Sequence, residues 1–156
     1  MKNASISAIK KELQYLSQEE LVALCLRLGK FKQDNKGLLT YILFKSQNED
    51  DYIAAVKETL DDHFSKINTN SYFYMKKTIR KVLRQLKLYS RYSHKTSTEV
   101  ELLLYFCERL NALRPSIHDN KMLSNLYQRQ LITIKKKING LHEDLQYDYN
   151  QMLQDL

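Results

Sequence analysis

Three glycines and one proline are all that interrupt 156 residues, and that scarcity closes off most folds. A many-stranded β protein needs a turn-forming residue every few positions, and this chain has too few. Leu, Lys, Glu and Gln dominate instead, and all four are strong helix formers. The expectation is an all-α fold, a helical bundle of about seven helices with a long C-terminal helix. Hydrophobic residues make up 43% of the chain, enough to pack a core and to argue against global disorder. A chain of this length is expected to form a single all-helical domain over 1–156.

Stop and start signals divide the chain. A first helix over about 5–15 would bury Ile6, Ile9, Leu13 and Leu16. Ser17 followed three residues later by Glu20 is a capping box. It opens a second helix that would bury Leu21, Leu24, Cys25 and Leu28 and stop at Gly29. Asp34 or Asn35 would cap a third helix through Leu38, Leu39, Ile42 and Leu43. Asn48 precedes Glu49, Asp50 and Asp51, acids well placed against the dipole of a fourth helix. Its stripe is Ile53, Val56, Leu60, Phe64 and Ile67, at spacings of three and four.

A fifth helix spans about 71–94, with Met75, Ile79, Leu83, Leu86 and Tyr89 on its apolar side. Thr96 to Glu99 offers a second capping box for a sixth, with Val100, Leu103, Leu104, Cys107, Leu110 and Leu113 inside. That helix would end before Pro115. His118 and Asp119 open the last. From Tyr127 through Leu131, Ile134, Ile138, Leu141, Leu145, Tyr149 and Met152 to Leu156 the apolar phase never slips, even across Asn139 and Gly140. A turn there would be expected to reset the phase, so a single helix over about 119–154 is predicted, about 50 Å long.

Charge is segregated along the chain. Between Asp62 and Glu99 there is no acidic residue, and nine basic ones lie there: Lys66, Lys76, Lys77, Arg80, Lys81, Arg84, Lys87, Arg91 and Lys95. The whole chain has 25 basic and 18 acidic side chains, a net of +7, so this one segment carries all of the excess. Lys76, Arg80, Arg84, Lys87 and Arg91 fall at steps of 4, 4, 3 and 4, one continuous stripe on a helix, flanked by Lys77 and Lys81. Such a stripe fits an acidic partner, nucleic-acid backbone or an acidic protein, with counterion release supplying affinity. Tyr72, Tyr74 and Tyr92 could stack on bases if the target is single-stranded. The competing expectation is a face neutralised inside the fold by Asp50, Asp51, Glu58, Asp61 and Asp62 on the preceding helix. Lys135, Lys136 and Lys137 form a smaller second patch.

Leu21, Ala23, Leu24, Leu28 and Gly29, followed by Lys36, Leu38, Leu39, Ile42 and Leu43, resemble the helix–turn–helix spacing of SAP-type nucleic-acid modules. The likeness covers about 25 residues and implies a nucleic-acid partner. The runs 100–107 and 142–149 resemble an uncharacterised all-helical bacterial protein family, which implies no activity.

Several chemistries lack their residues. No glutamate is followed by a histidine three positions on, as carboxylate-bridged metal bundles require. There is no His-Glu-x-x-His, no close cysteine pair and no glycine-rich phosphate loop. No cofactor, no metal and no catalytic residue are expected, and the chain reads as a non-enzymatic binding protein, or else as a protein-interaction scaffold. Cys25 and Cys107, each inside an apolar stretch, are expected as buried reduced thiols in the cytoplasm. Neither a leader nor a membrane span is expected, since no window approaches about eighteen apolar residues. The C-terminal stripe is also a candidate homodimer seam, through Leu131, Ile134, Ile138, Leu141 and Leu145.

Overall fold

The computed structural model describes every residue, 1–156, and contains eight α-helices and no strand. They fall into two compact units, Met1–Leu43 and Phe44–Leu156.

In the first unit, α1 (Ile6–Leu13) opens on Ser5, whose hydroxyl accepts the Ala8 amide at 3.2 Å. α2 (Gln18–Phe31) opens on the expected capping box. Ser17 Oγ accepts from the Glu20 amide at 3.2 Å, and the Ser17 amide donates to Glu20 Oε2 at 2.8 Å. Gly29 does not end this helix, which continues to Phe31 and breaks at Lys32, an extended residue that leads into α3 (Gln33–Thr40). The glycine serves close packing instead: a Cβ on it would lie 3.0 Å from Leu39 Cδ1. Asn35 does not cap α3 either. Its Nδ2 donates to the Leu28 carbonyl at 2.8 Å, satisfying a backbone acceptor near the end of α2. A π-helical stretch, Tyr41–Lys45, follows α3.

The apolar positions of α1 and α2 are not core positions. Ile6, Ile9, Leu24, Cys25 and Leu28 are exposed, Leu13, Leu16 and Leu21 are half-buried, and none of the three helices buries a residue fully. Three short helices have too little chain to enclose one another's apolar sides.

The second unit is built round one helix. α4 (Glu49–Ser65), α5 (Tyr72–Ser93), α6 (Thr96–Asn111), α7 (Lys121–Ile138) and α8 (Glu143–Gln154) make it up, with a 3₁₀ turn at Ile117–Asp119. α6 packs against α4, α5, α7 and α8. A helix with neighbours on several sides must be apolar on several sides. Val100, Leu102, Leu103, Leu104, Phe106 and Cys107 are accordingly all buried. Burying side chains of this size contributes about 1.5–3 kcal/mol each. The stripe that the spacing predicts, Ile53, Val56, Leu60 and Phe64 of α4 and Ile67 just beyond its end, is buried throughout, as are Met75, Ile79, Leu83 and Leu86 of α5.

The second predicted capping box does not form. α6 begins at Thr96 with Lys95 before it and no side-chain cap. Thr98 and Glu99 have other partners: Thr98 Oγ1 donates to Glu49 Oε1 at 2.6 Å, and Glu99 pairs with Lys137 at 2.8 Å. Glu49 in fact gathers three groups. Ser93 at the end of α5 and Thr98 of α6 donate to its Oε1, and Lys95 pairs with its Oε2 at 2.9 Å.

The C-terminal segment is two helices and not one. α7 ends at Ile138, the Leu141 amide bonds back to the Ile138 carbonyl at 2.9 Å, and His142 caps α8. Gln146 Nε2 donates to the Leu141 carbonyl at 2.7 Å, and Glu143 and Asp144 sit in the first turn, where the dipole favours them. The two helices run in opposite directions along α6. Lys137 of α7 meets Glu99 and Tyr127 meets Asn111, whereas the chain end beyond α8 returns to Asn111, which donates to the Leu156 carbonyl at 3.2 Å. The longest helix is therefore α5, with 22 residues.

Candidate functional site

α5 begins where the Ser71 hydroxyl accepts the Tyr74 amide at 3.4 Å, and it ends at His94, whose φ of 59° places it in the left-handed region. At 1.5 Å per residue it is about 33 Å long. Its buried side holds Met75, Ile79, Val82, Leu83, Leu86, Ser90 and Ser93. Ser90 satisfies its hydroxyl within the helix by donating to the Leu86 carbonyl at 3.0 Å.

The opposite side carries the predicted cations. Lys77, Arg80, Lys81, Arg84, Lys87 and Arg91 are all exposed, and Lys76 is half-buried with its Nζ 3.5 Å from Met122 Sδ of α7. None of these seven makes an ion pair. Of the α4 acids, Asp61 pairs with Arg109 at 3.0 Å and accepts from the Tyr105 hydroxyl at 2.6 Å, and Asp62 pairs with Lys66, while Asp50, Asp51 and Glu58 form no ion pair with the α5 cations. That bond to Lys66 holds Asp62 below the usual carboxylate range. Of the nine basic residues in the segment, Lys66 and Lys95 thus have carboxylate partners and the seven on the stripe do not. Neighbouring like charges three and four apart on a helix each cost a few tenths of a kcal/mol, and nothing on α5 relieves that repulsion. In the second patch, Lys135 and Lys136 are exposed while Lys137 is paired to Glu99.

The aromatic residues sort differently from the expectation. Tyr72 is half-buried and donates its hydroxyl to the Ser116 carbonyl at 2.8 Å, a structural bond. Tyr92 is half-buried against Tyr89, the ring centroids 6.2 Å apart. Tyr74 is 51% exposed, and Phe73, which the sequence reading passed over, is 69% exposed. Their rings form an edge-to-face pair with centroids 5.4 Å apart. The signal for Phe73 lies in its spacing: Phe73, Lys77, Arg80, Arg84, Lys87 and Arg91 follow at steps of 4, 3, 4, 3 and 4, so it heads the basic stripe.

The proposed C-terminal seam is divided by the turn between α7 and α8. Ile134 and Ile138 are wholly buried, Leu131 and Leu141 half-buried and Leu145 exposed. Two of the five side chains are thus used up in the chain's own core and cannot face a second copy.

A cleft of about 320 Å³ lies between Lys57, Glu101, Tyr105, Glu108 and Met152. Its lysine is paired to Glu101 at 2.6 Å. Burial, followed by the bond to Asp61, pushes the Tyr105 hydroxyl up to about 12, so it stays protonated at neutral pH. A hollow of about 200 Å³ at the far end of α5 is lined by Arg91, His94, Lys95 and Glu99. No three His, Cys, Asp or Glu side chains converge as a metal site would require, and no helix is long and apolar enough to cross a membrane. The chain matches no known family model, no curated protein and no solved structure.

Proposed function

We propose that the chain is a non-enzymatic binding protein whose α5 face takes a polyanion, with nucleic-acid backbone as the favoured partner. The observation that carries this is the run of exposed cations on α5 without a single carboxylate partner. A face the fold itself neutralised would have its charges paired, and its unrelieved repulsion is a cost that an anionic ligand removes. Each phosphate contact releases a counterion, so affinity falls with salt. Six contacts give a slope of log affinity on log salt of up to about −5 for duplex and about −4 for single strands. Arg80, Arg84 and Lys87 at the centre of the stripe act as phosphate clamps, and no base-specific role is assigned. A cytoplasmic setting is part of the same proposal, supported by two free thiols.

The test is binding to immobilised heparin and to mixed-sequence oligonucleotides across a salt series. The expected result is retention at low salt that weakens steeply as salt rises, and at least a tenfold loss in the triple variant Arg80→Gln, Arg84→Gln, Lys87→Gln. Absence of binding at the lowest salt, or a triple variant that binds like the parent, overturns the proposal.

A second reading, a protein-interaction module, has its own support in the first unit. Ile6, Leu26, Phe31 and Leu43 are all more than half exposed there, and exposed apolar surface of this kind marks docking sites on soluble domains.

A further inference from the structure

From the ring pair at the head of α5 we infer that the polyanion is single-stranded, with Phe73 and Tyr74 as the platform on which its bases stack. This deepens the α5 reading and rests on it. Phosphate recognition alone asks only for cations and does not distinguish duplex from single strand. A single strand has unpaired bases whose faces need covering, and aromatic rings next to a cationic track supply that cover. Phe73 is 69% exposed and Tyr74 51%, although Phe73 is a side chain that folding normally hides. Both stand one turn from Lys77 and about two turns from Arg80 and Lys81, which are exposed and without carboxylate partners.

The local geometry separates these two rings from their neighbours. Tyr72 is held by its bond to the Ser116 carbonyl and Met75 is wholly buried, so the backbone on either side of the pair is fixed while the pair itself faces solvent. The rings meet edge to face at 5.4 Å. That arrangement leaves ring surface open for a base to lie against, while the phosphates of the same strand run along Arg80, Arg84 and Lys87. An apolar protein partner would gain nothing from the adjoining positive charge and would have to desolvate it. The charge beside the rings is what favours a nucleic acid as the occupant.

Fluorescence anisotropy with three labelled ligands tests this: a mixed-sequence strand of about a dozen nucleotides, an abasic strand with the same number of phosphates, and a duplex. Heparin is run in parallel. The intact chain is expected to bind the base-bearing strand about tenfold or more tightly than the abasic one, as one stacked base supplies. In Phe73→Ala, Tyr74→Ala that preference disappears and heparin binding persists. Equal affinity for the abasic and base-bearing strands, or a duplex preferred at equal salt, overturns the stacking platform while leaving the polyanion face standing. A preference that survives the double variant also overturns it. So does a dimer, seen by light scattering, that the double variant abolishes, because the rings would then belong to a second copy. Failure to bind heparin or any strand removes both readings together.

Discussion

Cys107 and Cys25 carry the same side chain and meet opposite environments. Cys107 lies wholly inside the second unit, and burial pushes its thiol up to about 12, whereas Cys25 is exposed on α2. The pH consequence follows from proton counting. In the unfolded chain a cysteine releases its proton near 8.5, but in the folded protein Cys107 keeps it, so between those values the folded state binds more protons. Its contribution is therefore complete below about pH 8.5 and is lost as pH rises toward 12. Tyr105, raised to about 12 by burial and by Asp61, adds to the loss above its ordinary value near 10. Melting curves between pH 8 and 10.5 are expected to shift steadily downward, and Cys107→Ala should flatten the early part of the fall. A melting temperature constant across that range would contradict it.

Helix ends and helix faces were unequally readable. Faces in the second unit read well, because residues such as Ile53, Val56, Leu60 and Phe64 repeat at a helical spacing and a neighbour covers that side. In α1 and α2 the same periodicity marks Ile6, Ile9, Leu24 and Leu28, yet nothing encloses them. Spacing reports that a helix has an apolar side and is silent on whether the fold supplies a cover. Ends depend on competition. Thr96 and Glu99 have the right spacing for a capping box, but the helix starts at Thr96 itself and the Lys137 ammonium takes the Glu99 carboxylate. The turn after Ile138 was hidden because α7 and α8 both press on α6, so the apolar stripe had to stay in step whether or not the helix broke. α5 was read nearly to the residue, and its end makes a prediction. His94 sits at a positive φ where a side chain costs about 1–2 kcal/mol and glycine almost nothing. His94→Gly is therefore expected to stabilise the protein by up to about 1 kcal/mol, raising the melting temperature by about 2–4 °C. An equal or lower melting temperature would show that the imidazole makes a contact worth more than the strain.

At the scale of the whole molecule, the stripe was legible because seven like charges are visible in any listing of the chain, whereas its freedom from acidic partners was not. That depended on where Asp61 and Glu49 found their own cations, Arg109 and Lys95, which only the packing of α4 against α5 and α6 decides. The distinction matters beyond any ligand. The chain has an isoelectric point near 9.3, where its charges sum to zero, but lysine and arginine side chains as a class lose most of their positive charge only above that value. Zero sum is then reached with the excess of positive charge in the segment between Asp62 and Glu99, which carries nine cations and no acid while the rest of the chain has 16 basic and 18 acidic side chains, and this gives the second unit an electrical polarity. On a sulfonate resin at pH 9.3 the protein is expected to be retained although it has no net charge, and Arg80→Gln, Arg84→Gln, Lys87→Gln to wash through. A parent chain that washes through as well would show that the segregation is too weak to act at a distance. Polarity of this kind orients a body before it touches anything: brought near a negatively charged wall, the molecule turns α5 toward it.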